Sequence, residues 1–156
     1  MDYPIWNLAM GGGVLIGIVA ITHVLVSHFA VGGGIVMAIV ETMAVRRSDA
    51  ALRQLARRTS LMLILISTVF GAISGVGIWV TIGLVQPAAT SALIHNFVWG
   101  WAIEWVFFIL EVATALAYYA TWEKVRPRTH LLLIWLYFFA AYMSLVIIQG
   151  IIAFML

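Results

Sequence analysis

Six ionisable side chains lie inside stretches that otherwise read as hydrocarbon. His23, His28 and Glu41 fall within residues 8–44, His95 stands near the start of a third apolar stretch, and Glu104 and Glu111 lie inside it. Gln149, polar but uncharged, sits in a fourth. An ionisable group at the centre of a membrane span costs about 2.5–3.5 kcal/mol on insertion scales, so each one needs a partner or a task. For imidazole the most familiar buried task is axial ligation of haem iron. For a carboxylate it is iron ligation or the handling of protons.

The ordinary reading of each residue stands beside the chemical one. His23 is either a histidine hydrogen-bonded to a neighbouring helix or an axial haem ligand, and His28 is a second ligand or a packing partner. His95 reads as an interfacial residue with a possible contact to a haem propionate, and His130 as a solvated residue at the membrane edge. Glu104 is either a protonated acid hydrogen-bonded inside a bundle or a haem or proton ligand. Glu111 suits a proton relay, and Glu41 a terminal charge paired with a loop arginine. With no cysteine in the chain, thiolate metal sites, disulfides and covalent haem attachment through cysteine are excluded.

The elements that must hold these groups are membrane helices. The chain has 156 residues, 65% hydrophobic and 9% charged, with mean hydropathy +1.13. So few charges cannot cover so much apolar surface in water. Runs of roughly 18 or more apolar residues read as spans, and lipid forces their backbones into helices. We expect one all-α domain over residues 1–156, an antiparallel four-helix bundle with spans at about 8–44, 60–85, 94–120 and 131–156. The first run exceeds one bilayer thickness, so a short interfacial helix is expected before it, broken at Gly11–Gly12–Gly13. Ser67, Gly71 and Gly75 recur every four residues, a spacing that lets a helix or a flat ligand come close. No soluble domain, strand pattern or internal repeat is evident. The opening "MDYPIWNLAM" lacks a basic region of the signal-peptide kind and is expected to stay in the mature chain.

All eight basic residues fall in or beside two loops: Arg46, Arg47, Arg53, Arg57 and Arg58 after the first span, and Lys124, Arg126 and Arg128 after the third. This confinement argues against nucleic acid as a partner. By the positive-inside rule both loops are cytoplasmic and both termini lie on the outer, periplasmic side. Counting from the cytoplasmic ends at 1.5 Å per residue puts His23, Glu104 and Gln149 at roughly 27–30 Å, one shared depth in the outer half of the bilayer. His28 comes deeper, at roughly 22 Å, and is turned about 140° from His23, so the two cannot face one small site. Glu104 and Glu111 share a helix face with Trp101 and Phe108. Trp135, Tyr142 and Gln149 form a similar stripe on the last span. The glycines around Gly33 pack a helix closely or admit a flat ring, and Trp101, Trp105 and Trp135 could line a site.

"THVLVSHFAVGGGIVMAIVETMAV" resembles the first helix of cytochrome bd quinol oxidase subunit I. "GAISGVGIWV" is similar to that family's second helix, and "WAIEWVFFILEVATALAYYATWEKV" to its third. "RTHLLLIWLYFFAAYMSLVIIQG" follows like the fourth, so the resemblance runs over nearly the whole chain in order. It implies that His23 is the first-helix haem ligand and Glu104 the third-helix glutamate at a high-spin haem. Glu111 approximates the family's second glutamate at a spacing one residue shorter, and "QGIIAF" replaces the family's asparagine–glycine–tryptophan. The resemblance covers only the first four-helix bundle, without the helices that supply the low-spin haem's histidine and methionine or the quinol loop.

Together these readings lead us to expect a bd-like subunit of the bacterial or archaeal cytoplasmic membrane that carries one or two b-type haems. It would pass electrons between the quinone pool and a partner in a respiratory complex, with an external c-type cytochrome as one candidate partner. The candidate cofactor-binding residues are His23, Glu104, His28, His95, Gly33, Trp101 and Gln149, with Glu111 and Glu41 on a proton path. Half of a split oxygen reductase and a cofactor-free membrane anchor are the alternatives.

Overall fold

A computed structural model describes residue 6 and residues 8–154. The expectations for the N-terminal leader and for the final two residues of the fourth span lie outside the described residues.

The described residues form six α-helices: α1 Gly12–Arg47, α2 Ala50–Ile64, α3 Gly71–Val85, α4 Pro87–Asn96, α5 Val98–Ala120 and α6 Pro127–Ala153. A π-helical segment, Leu65–Phe70, joins α2 to α3, so Ala50–Val85 is one long rod. Among the described residues four rods, Gly12–Arg47, Ala50–Val85, Val98–Ala120 and Pro127–Ala153, are long and apolar enough to cross a membrane. The protein is an all-helical, multi-pass membrane protein.

Local chemistry sets the ends of the rods. Gly11 takes φ +81°, a conformation L side chains rarely adopt, and starts α1 directly. The expected break at Gly11–Gly13 is therefore a helix start, with no described interfacial helix ahead of it. The short helix occurs instead at α4, in "PAATSALIHN", where a loop was expected; Pro87 opens it at a position whose N–H needs no partner. At the far end of α1, Ser48 turns left-handed and its N–H region closes on Ala44. Asp49 then caps α2, accepting from the N–H groups of Ala51 and Leu52 at 2.8 and 3.1 Å. That cap pulls "AALRQLARR" into helix, so the second rod begins ten residues before the expected apolar start at 60.

α1 occupies the middle of the packing. It lies against α2, the π segment and α3 on one side and against α6 on the other, while α6 pairs along its length with α5. α2 also meets α5, near the basic loops. There the core is densest: Met37, Leu63, Tyr118, Ile134 and Tyr137 are all buried. Toward the opposite end α3 and α5 do not pack side by side, and rings of Trp79 and Trp101 meet across the space at 4.8 Å, edge to face.

Two of the three glycines of "VGGGIV", Gly33 and Gly34, serve helix contact. A Cβ on Gly33 would come within 2.7 Å of Leu63 Cδ1, and one on Gly34 within 2.8 Å of the Tyr137 ring and 3.5 Å of the Phe138 backbone. Tyr137 completes the contact by donating its hydroxyl to the Ala30 carbonyl at 3.3 Å. Gly34→Val should therefore lower stability by about 1–3 kcal/mol, the usual cost of overpacking. Unfolding curves in one detergent, with Gly32→Val at an open position as control, check this.

Candidate functional site

Two polar constellations are held inside the bundle, one toward each end. In the first, α1 presents His23 to α3. Its Nδ1 lies 2.9 Å from Ser74 Oγ. The Ser74 hydroxyl has its own acceptors, the carbonyls of Phe70 at 2.6 Å and Gly71 at 3.2 Å. A hydroxyl has one proton to give, so toward His23 the serine oxygen accepts and Nδ1 carries the hydrogen. In the neutral imidazole this leaves Nε2 as the bare nitrogen. A metal-ligating histidine is arranged in the same way: one ring nitrogen donates to a neighbour that fixes its orientation, and the other is free to bind. Gly75 makes room for the ring, since a Cβ there would stand 3.2 Å from His23 Cε1. The glycine that accommodates the imidazole is thus on α3 rather than at Gly33, which meets Leu63.

Across the bundle Glu104 on α5 accepts a hydrogen bond from Ser144 Oγ on α6 at 2.8 Å. Glu111 lies two turns further along the same helix, half-buried. Trp101 sits near the start of α5, its indole N–H 3.4 Å from the Leu93 carbonyl and its ring against Trp79.

The other candidates are placed elsewhere. His28 is exposed, and its Nδ1 donates to the Val24 carbonyl of its own helix at 2.8 Å. It is not brought together with His23. His95 is exposed near the end of α4, on the rim of an open groove of about 630 Å³ beside Trp79 and Pro87. Gln149 is exposed, as is Trp105; Trp135 is exposed too, with its N–H directed to Thr42 Oγ1 at 3.2 Å. Among the described residues no group of three or more histidines, aspartates and glutamates sits together as a metal site.

The second constellation lies beside the basic loops and corrects two expectations. Glu41 does not pair with a loop arginine, and His130 is not solvated. They pair with one another, Glu41 Oε1 to His130 Nδ1 at 2.6 Å, with only 3% and 4% of the two residues exposed. His130 Nε2 donates to the Tyr118 carbonyl at 2.9 Å. The rings of Tyr118 and Trp122 lie 4.5 and 4.2 Å from the imidazole, and Trp122 donates to Ser60 Oγ at 3.3 Å. Among the described residues the arginine that forms an ion pair is Arg57, with Glu123, and both are exposed.

Sequence reasoning overlooked Ser74 and Ser144, hydroxyls on the helices facing His23 and Glu104, and misread the surroundings of His130.

A half-buried imidazole and a hydrogen-bonded carboxylate within the spans of a four-span helical membrane protein mark candidate positions for a cofactor or a proton. The family model described as cytochrome bd terminal oxidase subunit I matches residues 14–156, and the chain belongs to that family. Neither a curated protein nor a solved structure matches it. Membership gives the chain a role related to membrane respiratory oxidases, among proteins that bind haem and work within membrane respiratory complexes.

Proposed function

We propose that this chain is a haem b-binding membrane subunit that passes electrons between the quinone pool and a partner redox subunit of a bd-type respiratory complex. The observation that carries the reading is the His23–Ser74 contact, which orients the imidazole and leaves Nε2 with a free lone pair inside the bundle. That donor fits haem iron. When bound, haem supplies reversible one-electron chemistry whose potential depends on ligand identity, hydrogen bonding and burial.

The chain's own residues do the remaining work. Ser74 holds the His23 ring in one tautomer, and Gly75 keeps the space beside it open. Glu104, held by Ser144, is the candidate second ligand or proton donor, and Glu111 continues the carboxylate line along α5. Trp79 and Trp101 meet edge to face at 4.8 Å between α3 and α5 and would offer aromatic surface to a flat ring. Confinement of the basic residues to two loops supports a cytoplasmic Glu41–His130 end and external termini, in an antiparallel bundle of a bacterial or archaeal inner membrane. The family supports membrane-embedded partner subunits and lends no support to an external c-type cytochrome.

The test is the reduced-minus-oxidised optical spectrum of the purified native complex, with and without carbon monoxide. A b-type band indifferent to carbon monoxide is expected for the electron-transfer subunit. A carbon monoxide-sensitive high-spin signal would make the chain half of a split oxygen reductase, and no haem attributable to it would leave a membrane anchor. Ser74→Ala frees the ring of its orienting partner and should weaken haem retention about 10–100-fold, as loss of such partners does at other metal sites. Titration of haem into the depleted variant and the unaltered protein measures the difference.

A further inference from the structure

The back of α1 carries a stripe that the other described helices leave open. Ile18, Ile21, Leu25, His28, Gly32 and Val36 are all exposed. Their steps of three and four residues keep them within about 80° on the helix, the spacing by which one helix seats another along a seam. Gly34, Met37 and Ala38, on the other side of α1, are buried, and His23 is directed away from the stripe, at Ser74. The aliphatic members of the stripe would suit lipid tails as well as a partner. His28 does not suit lipid.

The rod Gly12–Arg47 has 36 residues, and the hydrocarbon core takes about 20. Wherever that stretch falls within the rod, residue 28 belongs to it. An imidazole at such a depth ordinarily faces a bundle interior or a water-filled cavity. His28 faces neither the interior nor the groove beside His95. Its hydrogen bonding is half complete. The Val24 carbonyl can only accept, so Nδ1 carries the hydrogen, and in the neutral ring Nε2 is a bare acceptor with no hydrogen bond from any described residue. One turn further on, Gly32 stands open: a Cβ there would meet nothing within 4 Å. Small residues let the backbone of a second membrane helix approach closely. The unmatched nitrogen and the space for a neighbour thus share one face.

We propose that this stripe is a docking surface for a transmembrane helix of a partner subunit, one that presents a hydrogen-bond donor (a hydroxyl, carboxamide or indole side chain) to His28 Nε2. A second copy of this chain lacks that donor. Copies inserted in the same sense would pair α1 with α1 in parallel about a two-fold axis, and the two bare Nε2 atoms would face each other. The hydroxyls nearest the stripe are already given to their own helix, Thr22 to the Ile18 carbonyl at 2.8 Å and Ser27 to the His23 carbonyl at 2.9 Å. Lipid tails offer no donor at all. Members of this family work within membrane respiratory complexes, so partner helices share the bilayer. The inference rests on α1 and does not require that haem be bound.

The experiment is photo-crosslinking of the full chain in native membranes, with benzoylphenylalanine placed at Leu25 and, on an exposed face of α5 as control, at Val106. The Leu25 probe should give one product, with a membrane protein whose crosslinked peptide lies in a transmembrane helix and carries a donor side chain within a turn of the contact. The Val106 probe should not give that product. Association of the purified partner with the full chain, titrated by lipid dilution in bilayers, should weaken about 3–30-fold in His28→Leu, the range of one interhelical hydrogen bond. His28→Gln, whose carboxamide oxygen accepts, should restore it. Gly32→Leu, which fills the open space, should weaken it as well. A product of two copies of this chain, a product with lipid alone, a contact helix without a donor, or association unchanged in His28→Leu would overturn the proposal. Haem content is not read, so failure here is separate from failure of the electron-transfer reading.

Discussion

Glu41→Ala is expected to destabilise the bundle by about 3–5 kcal/mol, the usual consequence of removing one member of a buried pair. The substitution strips the partner from His130 Nδ1 in a site where only 4% of the residue reaches the surface. It also opens the contact that ties α1 to α6, just where Tyr118 and Trp122 close over the imidazole. The loss should be context-dependent in a specific way. Glu41→Leu combined with His130→Leu leaves no orphaned polar group on either residue, and should be less damaging than Glu41→Ala alone. The Arg57–Glu123 pair supplies the contrast. Both of its side chains are more than half exposed, so Glu123→Ala should change stability by only about 0–1 kcal/mol. Equilibrium unfolding of the three variants in one mixed-micelle system checks the ordering; equal effects at Glu41 and Glu123 would contradict it.

His23→Ala is expected to abolish haem retention rather than weaken it. In the proposed site Ser74 only orients the ring, whereas His23 would supply the donor nitrogen, so the two substitutions should differ in kind. The smaller His23→Gly variant leaves a space bordered by Gly75 on α3. Free imidazole added to that variant should restore haem binding in part, which a global folding defect would not allow. Failure of rescue together with an intact helical fold would argue against direct ligation by His23.

Much of the architecture was legible in composition alone, because lipid allows so few backbone solutions. Four apolar runs and two basic loops define four spans and their short connections. The ends of the rods were less legible. Asp49 caps a helix made of charged residues, extending the second rod beyond its apolar stretch. Pro87 starts a helix in a segment whose alanines, threonine and serine looked like a loop.

The site divides in the same manner. His23 and Glu104 stood out because an ionisable group in lipid is rare, and the structure gives each a hydroxyl partner on a neighbouring helix. Those partners, Ser74 and Ser144, could not be singled out by residue type, since serine is common in membrane helices. The glycines of α1 could be read equally as a seat for a flat ring or as a helix contact. Only the positions of Leu63 and Tyr137 decide for contact at Gly33 and Gly34. His130 was misjudged because distance from the apolar centre was taken for exposure. A buried pair is formed between helices, and 89 residues separate its two members.

The central claim is that His23, and not His28, provides the nitrogen that holds haem in this chain. Its most direct test is the haem-to-protein ratio and reduced-minus-oxidised spectrum of the native complex, measured in parallel for the unaltered protein, His23→Ala and His28→Ala. The account predicts that the b-type band attributable to this chain disappears in His23→Ala and is retained in His28→Ala, whose imidazole is exposed and bonded to its own helix. A band that survives in His23→Ala, or is lost in His28→Ala alone, would contradict it.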